Sequence, residues 1–456
     1  MLETLPTPQA EVTVVEAPPP AVRWRGTTRV AFRFAFLYVT LYVVTTQMLG
    51  GLWIIPKITP PDTGATGWLL RPIDWTASHV FGVTQYIRTN TGSGDKVIDW
   101  IHVFLLLLFT IAATAIWSVL DRRRPNYVSL HKWFHVFLRF AAGTTMVGYG
   151  MAKAIPLQMP APNLSRLLEQ YGDFSPMGVL WASVGASFPY QRFTGVMELA
   201  AAVLLFVPRL SMLGAMVLIA DSIQIFTLNM SYDVPVKLFS FHLIVMGLVL
   251  LAPEMRRLIN VLVLNRAAGP STMPPLARGV TMRRVILAAQ LVFGAYVLWA
   301  NYDETRTTFN TRGFGAPKPP LYGIWMIEKM TINGVERAPL VTDWERWRRM
   351  IIQSPTAIGY QRMDGTVGAF PTRVDTATKT IAFTAPPTGP PGSGASPPPA
   401  VKGKLTYEQP SPDVLILAGE DPTGRTLRLE TRLFDRNKFL LVSRGFHWVQ
   451  DRPFNR

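Results

Sequence analysis

From about Val30 to Ala300 the chain is a succession of long apolar runs bounded by polar or charged residues. From about Lys318 onward it changes to short alternating stretches broken by turn signals. An apolar run of about 20 residues is long enough for a helix to cross a hydrocarbon layer, where a helix satisfies its own backbone N–H and C=O groups. About seven crossing helices are expected on this basis, at residues 34–55, 98–120, 133–154, 193–207, 211–228, 236–251 and 280–300. The fourth and sixth runs are short for a full crossing, so they are expected to extend into their polar flanks or to tilt.

Two connections are long. Residues 56–96 contain an amphipathic stretch, 73–87, expected to lie in the membrane interface. Residues 161–192 contain a short apolar run, 177–186, which cannot cross and reads as a re-entrant or interfacial helix. A linker is expected at residues 301–320. Beyond it, strands are expected at residues 322–330, 378–384, 404–407, 414–417, 425–434 and 439–443, with hairpin turns at Asn333-Gly334 and Asp364-Gly365. Residues 344–352, opened by Asp343, fit either helix or strand, and the Pro/Gly/Ser-rich stretch 385–400 is a loop. The fold class is therefore an α-helical polytopic membrane protein with a C-terminal antiparallel β-barrel or meander.

Charge then orients this picture. The net charge is +16, but the basic residues sit at the ends of apolar runs: Arg23, Arg25 and Arg29, Arg122 to Arg124, Arg256 and Arg257, Arg283 and Arg284. That placement fits anchors against anionic lipid, not a nucleic-acid face. It predicts a bacterial cytoplasmic (inner) membrane protein with its N-terminus inside and its C-terminal domain outside, in the periplasm. Membrane lipid is thus one expected partner. The absence of cysteine excludes thiol redox chemistry, cysteine-ligated clusters and covalent c-type haem in this chain. The Pro- and Glu-containing start reads as a disordered cytoplasmic tail, not a cleaved signal. The expected organisation is a tail at 1–28, two accessory helices with an outer interfacial segment at 29–132, a four-helix core at 133–266, a linker and seventh helix at 267–303, and an outer β-rich domain at 304–456.

Within the core, one run carries Arg139, Gly143, Tyr149, Gly150 and Lys153; the next carries Gly195, Glu198 and Leu199 and closes at Pro208-Arg209. This pattern resembles the first two helices of the DoxX family of membrane proteins, and the resemblance covers about a quarter of the chain. It implies a compact four-helix bundle and redox work at a membrane, since relatives include a quinone-reducing oxidoreductase subunit. More faintly, Gly323-Ile324-Trp325 with Arg444 resembles the lipocalin arrangement, in which a tryptophan at the closed end of a barrel packs beneath a basic side chain.

Chemistry-bearing residues gather near the outer ends of the core helices: Tyr149, Lys153, Glu198, Gln224, Asn229, Asp233 and Lys237. Ionisable groups at membrane depth face a bundle interior or a wet cavity and mark sites or pathways. These residues are expected to line one outer cavity, with Lys153, Glu198 and Lys237 converging. A pairing of Glu198 with Lys153 or Lys237 that merely holds helices together is the alternative. A quinone head group needs donors for two carbonyls beside an apolar groove, which Tyr149, Lys153 and Glu198 fit. His102 and His242 lie at matching depth, as b-type haem ligands would, although a lone imidazole on an apolar face more often bonds to a neighbour. His131 and His135 are expected at the lipid–water boundary, and Asp221 is an intramembrane acid with no partner evident in sequence. The expected function is a quinone-interacting or redox-accessory membrane subunit working with a protein partner that carries the redox centre. The alternative is a non-enzymatic membrane scaffold or assembly subunit whose outer β domain binds a periplasmic protein or lipid.

Overall fold

The computed structural model of the chain describes residues 23–54, 67–271, 273–277, 279–384 and 401–455. Its helical part comprises α1 (Gly26–Thr45), α2 (Met48–Leu52), α3 (Gly67–His79), α4 (Val97–Leu120), α5 (Val128–Ala154), α6 (Leu164–Leu168), α7 (Pro176–Gly185), α8 (Phe188–Phe206), α9 (Ser211–Ser231), α10 (Lys237–Leu251), α11 (Met255–Leu262) and α12 (Val280–Thr311). Among the described residues, five stretches suffice by length and composition to cross a membrane: Gly26–Thr45, Val97–Leu120, Pro208–Ser231, Lys237–Leu262 and Val280–Thr311. Neither α5 nor α8 is among them. The reason is physical: charged residues lower their hydropathy, among them Arg139 and Lys153 on α5 and Glu198 on α8, which are buried between the helices. Trp53, Trp75, Trp100, Trp133 and Trp299 of the helical part are exposed.

Several boundaries depart from the sequence pattern. The first helix opens at Gly26, not near residue 34, and breaks after Thr45, whose hydroxyl turns back to Leu41 O (2.6 Å). Its polar first turns are helical because Arg33, 3% exposed, donates to Tyr127 Oη (2.7 and 2.8 Å), Ser118 Oγ (2.9 Å) and Asp121 O (3.0 Å). Trp24, inside the stretch expected to be disordered, packs edge-on to Phe32, Tyr127 and His131; residues 1–22 of that stretch lie outside the described residues. The amphipathic segment is a shorter helix, α3, interrupted by Pro72. The linker expected from residue 301 is helical through Thr311. His131 and His135 are half-buried, with the His135 ring bonded to Leu250 O (3.3 Å).

The C-terminal part is a closed barrel. Its strands are β1 (Gly323–Ile332), β2 (Val335–Glu336), β3 (Trp347–Ser354), β4 (Ala357–Arg362), β5 (Val367–Asp375), β6 (Thr380–Thr384), β7 (Val401–Ser411), β8 (Val414–Glu420) and β9 (Thr426–Leu433). All neighbours pair antiparallel in order, with β2 a hairpin appendage on β1, and β1 pairs with β9 to close the ring. Closure removes the free sheet edges that invite aggregation. Inward side chains, including Trp325, Met350, Ile352, Phe383, Leu417 and Leu429, fill the interior, as eight strands allow. A bulge between Ile327 and Lys329 frees carbonyls that buried Arg346 binds, at Ile327 O (3.0 Å) and Glu328 O (3.4 Å).

The segment 344–352 resolves to strand from Trp347 onward, while residues 439–443, expected as strand, instead carry the short helix α13 (Leu440–Ser443). Residues 385–400 lie outside the described residues. Trp325 is buried and donates to Leu321 O (2.9 Å), but no basic cover comes from Arg444, which bonds to Gln450 Oε1 (3.2 Å) and stacks on Phe454. The barrel rests on the helical part through α6. Leu164 packs with Ile324 and Ile351 on the outer barrel face, and Ser165 exchanges hydrogen bonds with Gln353 (3.1 and 2.9 Å).

Candidate functional site

The site begins with two glycines. A Cβ at Gly195 would stand 2.4 Å from Ala154 N and 2.6 Å from Gly150 O, and one at Gly150 would stand 2.9 Å from Gly195 O. The backbones of α5 and α8 therefore meet here at a distance no larger residue permits. One turn further on each helix, the crossing brings Lys153 and Glu198 face to face. Lys153 Nζ donates to Glu198 Oε1, with the two side chains 8% and 1% exposed. Glu198 Oε2 is buried and has no hydrogen-bond partner among the described residues, so the carboxylate keeps an acceptor that they do not use. At the other end of the same helix pair, Arg139 donates to Leu205 O (2.7 Å) and Phe206 O (2.9 Å) and closes the end of α8. The Phe206 ring fits against Gly143 and Gly294, where a Cβ would come within 2.5 and 2.8 Å.

Lys153 and Glu198 line a cavity of about 290 Å³ enclosed by α5, α7, α8, α9 and α10. Tyr149, Gln224 and Asn229 share that lining. Asn229 is held by Ser240 Oγ (3.0 Å) and Val236 O (3.3 Å). Asp221, one turn below the cavity on α9, interacts electrostatically with both Glu198 and Lys153; its Oδ2 has no hydrogen-bond partner among the described residues. The three ionisable groups thus form a set of one base and two acids, and its third member is the acid whose partner the sequence left open.

Two expected members are elsewhere. Lys237 does not converge on Glu198: its ammonium lies 3.0 Å from Asp233 and 3.8 Å from Asp95. Asp95 also accepts the Lys237 and Leu238 backbone N–H groups (2.7 and 2.9 Å), satisfying the free donors at the start of α10. Asp233 is 84% exposed and sits at φ 51°, a turn position. The loop before α4 takes up Lys237.

A second, more polar chamber of about 420 Å³ adjoins the first. Tyr149, Val236 and Phe239 line both, and Gln47, Arg88, Lys96, Asp99 and His102 line the second alone. Gln47 donates to Tyr149 Oη (3.2 Å) across the shared wall. The haem geometry is not available to His242. Its Nδ1 lies 2.6 Å from Leu238 O, its Nε2 lies 2.8 Å from Tyr38 Oη, and its ring stacks on Tyr42 at 3.7 Å. Both ring nitrogens are engaged, which leaves no lone pair for iron. His102 is also buried, and its Nε2 has no partner.

No model of a known protein family matches the chain, and no solved structure matches it. The chain is similar to the uncharacterised protein YwoB of Bacillus subtilis (strain 168), with 29% identity over 148 residues, which takes in 30% of this chain and 86% of the relative.

Sequence reasoning missed the cavity wall supplied by α7 and its approach. Trp181, Leu180 and Val184 line the cavity with Gln158 and Met159, and Trp181 Nε1 donates to Gln158 O (3.1 Å). The signal was present in the Gly-containing apolar run 177–186, too short to cross and hence bound to cover something. Chemically, the arrangement offers one ammonium, one carboxylate and the phenols of Tyr149, Tyr190 and Tyr232 in an otherwise largely apolar enclosure. That combination suits a neutral, flat or elongated apolar molecule with a few acceptor atoms.

Proposed function

We propose that this chain is a quinone-interacting membrane subunit of DoxX type, in which the cavity between α5, α8, α9 and α10 receives the quinone head group. One observation carries the reading: the buried Lys153–Glu198 pair, with Glu198 Oε2 unpartnered, stands in the wall of an apolar cavity. Lys153 and Tyr149 supply donors to carbonyl oxygens, and Glu198 is positioned to exchange a proton with a hydroxyl of the reduced ring. Electrons would pass to or from a redox centre on a partner protein. α5 and α8, although charged, are read as membrane-crossing together with the five apolar stretches, giving seven. Basic residues before α1, after α4, and between α10 and α12 set those ends inside a bacterial inner membrane, with the barrel in the periplasm.

The second reading is a scaffold. It is favoured by the place of Lys153–Glu198 one turn beyond the Gly150–Gly195 crossing, where a pair can serve as a clasp, and by the filled barrel interior, which leaves only the outer barrel surface for a partner. The two readings separate on purification from native membrane. Quinone co-extracted near one per chain, lost when Lys153 is replaced by Met, supports the first. A stoichiometric protein partner with no quinone above that of control membrane protein supports the scaffold and removes the first.

A further inference from the structure

After β9 closes the barrel, the chain does not stop at its surface. Phe434 and Phe439 pack beside Leu164, Ile324 and Ile351, against the α6 segment of the helical part. From that root the chain turns outward through α13 and Gly445, which at φ 63° takes a left-handed conformation that suits glycine. Arg444 organises the segment beyond: it lies 2.6 Å from the His447 ring, bonds to Gln450 and stacks on Phe454. This folded hub turns the apolar side chains away from the protein. Leu441 is 62% exposed, Phe446 76%, Val449 82% and Trp448 91%, and Phe446 and Trp448 meet edge to face.

Exposed aromatic and aliphatic residues at this density are costly in water and mark a surface that is normally covered. The composition indicates what covers it. Between residues 435 and 455 the basic residues are Arg436, Lys438, Arg444 and Arg452, against Asp435 and Asp451. A tryptophan-bearing apolar face flanked by cations matches the interface of an anionic bilayer. Position agrees. β1 receives the chain from α12 at the barrel end where Trp325 pairs with Leu433 of β9, so the segment leaves the barrel at the end nearest the helices. It is also continuous with the α6 contact that already ties barrel to bundle.

We infer that residues 440–454 form an interfacial anchor, in which Leu441, Phe446, Trp448 and Val449 insert among lipid headgroups and hold the entry end of the barrel against the bilayer. The anchor rests on the helices being membrane-embedded and is independent of the quinone reading.

Because the sequence contains no cysteine, Trp448→Cys creates a unique labelling site on the full-length chain. Val341→Cys, on the exposed connection after β2 at the opposite end of the barrel, supplies the control. Each variant is labelled with an environment-sensitive fluorophore and placed in nanodiscs of equal parts phosphatidylglycerol and phosphatidylcholine; co-elution with the disc establishes embedding before any optical reading. With brominated acyl chains, the label at 448 should lose emission by about twofold or more, as a group buried at the headgroup–acyl boundary does, and the label at 341 should not. No quenching at 448 overturns the inference. So does a blue shift at 448 without lipid quenching, which would place the segment against protein, or equal quenching at both sites.

Discussion

Two interiors can be set side by side. Within the barrel the packed side chains are apolar, from Trp325 through Ile381 to Leu429, and the buried guanidinium of Arg346 stays with the bulge carbonyls. Between α5 and α8, Arg139, Lys153 and Glu198 are all buried, in the part of the molecule whose surroundings are themselves apolar. The barrel sits where the alternative to burial is water, so an apolar core stabilises it. Lipid tails give helices no such drive toward one another. There, close backbone approach at Gly150 and Gly195 and polar pairs between helices do the holding. Polar groups inside the bundle are thus structural cement, and where they are left partly unsatisfied, as at Glu198 Oε2, an acceptor stays open.

The largest effect expected from this contrast is in the barrel. Trp325→Ala should cost about 3–5 kcal/mol of barrel stability, since a large side chain in a filled core leaves a cavity. Denaturant unfolding followed by barrel tryptophan emission would register it. The helical part should keep its melting temperature in detergent; if both fall together, the two interiors are not separate. Gly195→Ala should come next, costing about 1–3 kcal/mol because its Cβ meets backbone that cannot step aside. It should move the detergent melt while leaving barrel unfolding unchanged. The same substitution at Gly172, where a Cβ meets nothing within 4 Å, gives the reference for a harmless methyl.

A smaller effect should appear in acid. Burial acts to raise the Asp421 carboxyl, but hydrogen bonds from Thr423 and Arg425 outweigh it and hold the group below its ordinary value of 3.8. A depressed folded-state pKa adds stability that is present above the ordinary value and is lost as pH falls through the lower one. Barrel unfolding in urea should therefore shift to lower denaturant as pH drops from about 4 toward 2, and Asp421→Asn should flatten that slope. Smallest of all, Arg432→Ala removes exposed pairs with Glu328 and Asp413, which solvent screens, and should leave the urea midpoint of the barrel almost unchanged.

The contrast also explains what could be read from the chain. Long apolar runs announced the crossing-type helices because their signal is local. The start of α1 was missed because Arg33 looks like a terminal anchor until Ser118, Asp121 and Tyr127, distant in sequence, are seen to surround it. β4 and β5 escaped notice because Gly359 and Gly368 dilute their pattern. The folded barrel uses Gly368 to seat the Tyr360 ring, where a Cβ would come within 2.5 Å, in a stack with Trp347 and Phe370 at 4.9 Å. Tyr149, Lys153 and Glu198 could be proposed as neighbours because helical spacing and depth fix them. Lys237 was expected beside them and is not there, since its pairing with Asp95 depends on how the loop before α4 folds back.

The central claim is that the Lys153–Glu198 cavity binds a ligand and does not only clasp two helices. Glu198→Gln tests it most directly, because the amide preserves size and removes the charge. Thermal stability and quinone content are measured on the same purified sample. A ligand site should lose most of its bound quinone with a melting temperature close to that of the parent, since neighbouring polar groups and water can resolvate Lys153. A pure clasp should instead strand Lys153 in low dielectric, at a cost of about 3–5 kcal/mol; a large fall in melting temperature with quinone content unchanged would contradict the claim.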